Sequence, residues 1–80
     1  MAVKLVFLGK LADLAGAPEK DVAGPLDWVG LLAALPGPLG EMVGGERVKL
    51  ALNGTVLADK TALAAADGDE IALLPPVSGG

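Results

Sequence analysis

Gly80 ends the run Pro75-Pro76-Val77-Ser78-Gly79-Gly80, and its α-carboxylate is the one distinctive reactive group the sequence offers. The chain has no histidine and no cysteine. That excludes disulfides, thiolate or imidazole metal sites, and Ser–His–Asp or Cys–His nucleophilic machinery. A carboxylate-only metal site would need a ligand cluster that the sequence does not suggest. A terminal carboxylate has an ordinary pKa of about 3.3–3.7, so at neutral pH it is ionised and a poor electrophile. To react it must first be activated, and an acyl-adenylate made from ATP is the expected form. No Gly-x-x-x-x-Gly-Lys phosphate loop is present, so no cofactor is expected on this protein. The ATP is expected to be used by a separate activating enzyme.

The residues before that carboxylate suit delivery into a confined site. Pro75-Pro76 biases the backbone toward extended, polyproline-like geometry. Six residues reach roughly 20 Å. None of the six carries a charged side chain, and the last two have no side chain at all. Such a thread fits a channel that a β-carbon would block, and glycine accepts unusual backbone angles there. The contrary expectation is an inert end on a plain interaction module, as termini often are.

The tail needs a support, and the sequence predicts one. Val3–Leu8 reads as a strand, rich in branched and aromatic residues. Leu11, Leu14 and Ala15 have helical spacing, closed by Gly16 and Pro18. Residues 20–23 form a weak strand stopped by Gly24-Pro25. Asp27 is placed to cap a helix bearing Trp28, Leu31, Leu32 and Leu35, which Pro36-Gly37-Pro38 ends. Residues 37–46 read as a loop in which Leu39, Met42 and Val43 form one turn. Residues 47–52 alternate as a strand, and Asn53-Gly54 predicts a type I′ hairpin into residues 55–58. Residues 61–66 suggest a short helical turn. Asp67-Gly68 turns the backbone into a last strand, Glu70–Leu74, which Pro75 releases. The predicted fold is α+β, a mixed sheet with helices on one face. Residues 1–74 form the domain and 75–80 an extended tail.

Alternation assigns the two faces of that sheet. Lys4 points to water and takes Val6 and Leu8 with it, leaving Val3, Leu5 and Phe7 inside. Arg47 and Lys49 take Ala51 outward and leave Val48, Leu50 and Leu52 inside. Glu70 takes Ala72 and Leu74 outward, with Ile71 and Leu73 inside. If the first and last strands are neighbours, Val6, Leu8, Ala72 and Leu74 form one outward apolar patch. Contiguous patches of that kind mark protein-docking surfaces. Lys4, Arg47 and Lys49 share this face, so an acidic or mixed partner surface would suit it.

Composition narrows the classes further. Eighty residues make one domain, and 52% hydrophobic residues supply its core. Six basic residues against ten acidic give a net charge of −4, which argues against nucleic acid as a partner. The mean hydropathy is +0.59, yet the longest uncharged stretch is the 13 residues from Trp28 to Gly40. A spanning helix needs about 20 apolar residues. No membrane association is expected, and a cytoplasmic protein is.

The residues Asp67-Gly68-Asp69-Glu70, an apolar strand, then Pro75-Pro76-Val77-Ser78-Gly79-Gly80 resemble the small subunit of molybdopterin synthase. That is a family of ubiquitin-like sulfur carriers with the β-grasp fold. The similarity also takes in the opening Val-Lys-Leu-Val-Phe-Leu strand, the Leu-Ala-Asp-Leu-Ala-Gly helix and the Ala51-Leu52-Asn53-Gly54 hairpin. It implies that a ubiquitin-activating-like adenylyltransferase adenylates Gly80 and that a sulfur donor enzyme converts it to a thiocarboxylate. It also implies docking on the large subunit of molybdopterin synthase, in a heterotetramer, through Val6, Leu8, Ala72 and Leu74. Residues Pro75, Pro76, Val77, Ser78 and Gly79 would then enter the large subunit's active site. There the sulfur on Gly80 attacks cyclic pyranopterin monophosphate to build molybdopterin. The protein is thus a co-substrate, not catalytic alone. Leu8 and Leu74 stand where the family often has phenylalanine, and the second helix is shorter than in many members. Relatives that deliver sulfur to thiamin or to a tRNA base share the final Gly-Gly. A protein modifier conjugated through Gly80 uses the same adenylation chemistry.

Overall fold

The structure, a computed structural model, describes residues 2–35 and 37–75. Three strands foreseen in the sequence form the middle of the sheet. β1 (Ala2–Phe7) alternates buried Val3, Leu5 and Phe7 with outward-facing Lys4 and Val6. β7 (Glu70–Leu74) alternates in the same way, with Ile71 and Leu73 buried. These two strands lie side by side and parallel, with Val6 opposite Ala72. β2 (Glu19–Ala23) pairs antiparallel with the other side of β1. β4 (Lys49–Leu52) pairs antiparallel with β7, setting Lys49 opposite Leu74. β5 (Thr55–Val56) completes the order β2-β1-β7-β4-β5. The turn between β4 and β5 has positive φ at both Asn53 and Gly54, as the type I′ expectation requires.

One face of this sheet carries the core. α1 (Lys10–Ala15) contributes Leu11 and stops at Gly16, which takes a left-handed φ of 79°. α2 (Trp28–Ala34) starts where expected. The Asp27 side chain accepts the Gly30 N–H at 2.8 Å, and Leu31 is fully buried. These residues pack with Val3, Leu5, Phe7, Leu50, Ile71 and Leu73 in one hydrophobic cluster.

Several expectations need correction. Leu14 is 43% exposed, because a helix of six residues presents little more than one buried position to the sheet. Residues 37–44 are not a loop. They form α3 (Gly37–Gly44), which buries Leu39 and Val43 at i and i+4. Its glycines hide the signal by lowering helix propensity. Of residues 61–66, only the start is helical, within a 3-10 turn at Lys60–Ala62. Ala64–Ala65 is a strand, β6, paired with β3 (Leu26–Asp27) as a separate two-stranded ribbon. Ala51, expected outside, is only 6% exposed. It lies between Ala72 and Val56 on flanking strands and outside the core cluster, so its methyl is covered by neighbours and not by the core. Leu52, expected inside, packs against the core and stays half-buried.

Lys60 fastens the C-terminal end of α3. Its Nζ donates to the carbonyls of Val43 at 2.8 Å and Val48 at 2.6 Å, and to that of Gly45. The last turn of any helix leaves carbonyls without partners, and α3 has no basic residue of its own there. The ammonium also sits 5.7 Å from the centre of the Trp28 ring. Burial draws the Lys60 pKa below the usual lysine value, Lys49 adds to this, and Glu46 opposes it.

Candidate functional site

The apolar patch exists, and it is larger than the four residues expected to make it. Val6 and Ala72 are half-buried and directly opposite each other on the face away from the helices. Continuing across the sheet, Ala72 faces Ala51, and Ala51 faces Val56. The row Val6–Ala72–Ala51–Val56 therefore spans four adjacent strands without a polar side chain. Val56 is 56% exposed and was not foreseen. The hairpin could have revealed it, since a two-residue Asn53-Gly54 turn puts Thr55 opposite Leu52 and Val56 opposite Ala51.

A second row lies toward the end of β7. Leu8 follows the last residue of β1, is 40% exposed, and donates its backbone N–H to the Leu73 carbonyl at 3.3 Å. Leu74 is half-buried beside it, with Lys49 opposite on β4. Charges mark the other end. Lys4 stands between Asp21 on β2 and Glu70 on β7, and its ammonium lies 4.0 Å from the Glu19 carboxylate. The patch thus has an acidic-flanked end and a tail-proximal end where Lys49 is the nearest charge in register.

Pro75 marks where the tail leaves. It is half-buried and rests on Gly9, where an added Cβ would come within 3.3 Å of its Cγ. Gly9 has a φ of 56° and ψ of −135°, a conformation that residues with a Cβ seldom adopt. Both features make room for the backbone to exit beside Leu8. Pro76, Val77, Ser78, Gly79 and Gly80 lie outside the described residues. Among the described residues, no cluster of acidic side chains is placed to hold a metal ion. No described helix is long and apolar enough to cross a membrane.

The start of β7 is fixed by side chains from two turns. Asn53 donates to Asp69 at 3.1 Å and accepts the Glu70 N–H at 2.9 Å. The other Asp69 oxygen accepts the Ala66 N–H at 2.9 Å. These bonds, Ala66 first and Asn53 second, lower the Asp69 pKa from its ordinary value. The Asp-Gly-Asp-Glu segment and the Asn-Gly hairpin, separate in sequence, are one hydrogen-bonded unit.

Residues 5–80 match the profile of the ThiS family. The chain belongs to that family. As a ThiS-family protein it is a ubiquitin-like sulfur carrier with the β-grasp fold, as its sheet order and helix placement agree. Among solved structures it is similar to small archaeal modifier protein 1 from Methanosarcina acetivorans. The two are 26% identical with a TM-score of 0.75, over 99% of this protein and 96% of that one. It is also similar to a subunit in the complex of subunits 1 and 2 of molybdopterin-converting factor from Helicobacter pylori. There the identity is 29% and the TM-score 0.67, over the whole of both proteins. A component of the BexX/CysO complex of Amycolatopsis orientalis shares the fold at 19% identity and a TM-score of 0.72, over 99% of this protein and all of that one. No curated protein sequence matches.

Proposed function

We propose that this ThiS-family protein is the sulfur-carrying small subunit of molybdopterin synthase. The observation that carries the reading is the junction at Pro75. A central strand flanked by an outward apolar surface ends there, beside a glycine that leaves room for it. Beyond that point the sequence is the thin Pro76–Gly80 thread. In this reading the Gly80 carboxylate is adenylated by a ubiquitin-activating-like adenylyltransferase, which spends the ATP. A sulfur donor enzyme then replaces the adenylate with sulfur. Val6, Leu8, Ala72 and Leu74 dock on the large subunit while residues 75–80 enter its active site. The thiocarboxylate sulfur, ionised at neutral pH, attacks cyclic pyranopterin monophosphate. The small subunit supplies a nucleophile and a landing surface, and the large subunit supplies the catalytic groups. The likeness to a subunit of the subunit 1–subunit 2 complex supports a partner of that kind.

The likeness to an archaeal modifier protein favours a second reading, isopeptide conjugation of Gly80 to lysines of other proteins. Sulfur delivery to thiamin or tRNA is a third outcome within the same carrier chemistry. Deleting Gly80 and assaying pterin products with the large subunit separates them. The proposed function requires loss of molybdopterin formation with folding unchanged. A truncated protein that still supports molybdopterin synthesis overturns it. A ladder of heavier conjugates in cells, with no pterin product from the intact protein, assigns the modifier role instead.

A further inference from the structure

Asn53 is the only asparagine in the sequence, and there is no glutamine. It precedes Gly54, whose backbone nitrogen has no neighbouring Cβ to shield it from the asparagine side chain. The residue is exposed to water. Yet both its polar atoms are engaged, with Nδ2 donating to Asp69 and Oδ1 accepting from the Glu70 N–H. Asp69 is itself anchored by the Ala66 N–H. The amide is therefore tied at both ends to the turn before β7.

We propose that Asn53–Gly54 is a deamidation site, this protein's one site of hydrolytic ageing at a side-chain amide, and that the Asp69 carboxylate holds it shut while the protein is folded. The reaction needs no cofactor. The Gly54 backbone nitrogen attacks Asn53 Cγ to form a new ring bond, and the bond between Cγ and Nδ2 breaks. The amide nitrogen leaves as ammonia, taking up the proton released by the Gly54 nitrogen. Water then opens the cyclic imide at either carbonyl to leave aspartate or isoaspartate at position 53. One water is consumed and one ammonia released.

Attack requires the Asn53 side chain to swing toward its own following nitrogen, which breaks its bonds to Asp69 and Glu70. An ionised Asp69 has no proton to give the departing nitrogen, so it restrains the amide without assisting its loss. The aspartate product replaces an N–H···O contact with two facing carboxylates. The isoaspartate product lengthens the turn backbone and disturbs the Ala51–Val56 register on which the apolar row depends.

The test follows the full-length folded protein in mildly alkaline buffer by intact mass and anion exchange. With a single side-chain amide in the sequence, every deamidated molecule reports on position 53. The folded protein is expected to lose its amide about tenfold more slowly than the same protein in urea, the effect of one charge-assisted hydrogen bond. Asp69→Ala is expected to remove most of that protection. Leu50→Ala supplies the control. It lowers stability without touching the bracket, and is expected to keep the wild-type rate at a temperature where both are folded. Equal rates for the folded and urea-unfolded protein overturn the proposal. So do equal rates for folded Asp69→Ala and Leu50→Ala, or an unfolded protein that keeps its amide throughout.

Discussion

Replacing Lys60 with methionine tests whether a single ammonium holds α3 to the sheet. Methionine keeps most of the apolar stem and removes all three donors. Two of the acceptors, the Val43 and Val48 carbonyls, are part-buried, and the third, on Gly45, is exposed and returns to water. Hydrogen bonds to a charged group contribute about 1.5–3 kcal/mol each. Taking the low end for the two part-buried bonds gives about 3 kcal/mol. Loss of the ammonium from the Trp28 face adds about 0.5–1 kcal/mol. For a domain of this size each kcal/mol moves the melting temperature by about 4–8 °C. Lys60→Met should therefore lower Tm by more than about 10 °C, with Lys49→Met, at an exposed position, within about 0.5 kcal/mol of wild type. Thermal denaturation followed by circular dichroism reads both effects. Hydrogen exchange reads the local consequence, because the Gly45 N–H, bonded to the Met42 carbonyl at 3.1 Å, should lose protection earliest. A Tm unchanged by Lys60→Met would show that apolar packing of Leu39 and Val43 alone holds the helix.

The two faces of the sheet should respond oppositely to substitution. Leu74→Glu, on the open face, is expected to weaken partner binding measured by calorimetry while lowering Tm little; a protein that unfolds would place Leu74 in the core. Leu50→Ala, fully buried, should cost about 2–5 kcal/mol in urea denaturation, and a cost under about 1 kcal/mol would mean its site collapses freely. Asp59 and Asp69 both have lowered pKa values, the first from the Thr61 hydroxyl and N–H, the second from Ala66 and Asn53. A carboxylate depressed in the folded state stabilises above its unfolded pKa and loses that contribution as pH falls through the folded one. Stability should therefore decline as pH drops below about 4, and the Asp59→Asn, Asp69→Asn pair should flatten that decline. An unchanged slope would mean these hydrogen bonds do not discriminate between protonation states.

The sheet was legible because charges punctuate its strands. Lys4, Lys49 and Glu70 each sit beside an apolar run and so fix which neighbours face water. The parallel pairing of β1 with β7, conditional in the sequence, then assembled the patch from two ends of the polypeptide. Where charge was missing or glycine frequent, the sequence misled. α3 holds Gly37, Gly40 and Gly44 within eight residues, and its stability comes from burying Leu39 and Val43 and from a lysine distant in sequence. β6 consists of two alanines, which carry no strand signal, and it exists because β3 offers them a partner. Ala51 shows the limit of alternation itself, since its side is assigned correctly while neighbouring side chains decide its exposure. Nothing in the sequence around Lys60 announces that three remote carbonyls converge on it. The proposed tail chemistry rests on the sequence alone, since no cysteine or histidine competes with Gly80 for the role and residues 76–80 lie outside the described residues.

The central claim is that this protein works through its final carboxylate, carried as a thiocarboxylate. Intact mass of the native protein isolated from its own cells tests it most directly. The expected species is heavier by the difference between sulfur and oxygen, is located at Gly80 by fragmentation, and is converted back to the lighter form on incubation with the large subunit and pterin substrate. A protein found only as the free carboxylate, in cells actively making molybdopterin and with the sulfur donor present, would contradict it.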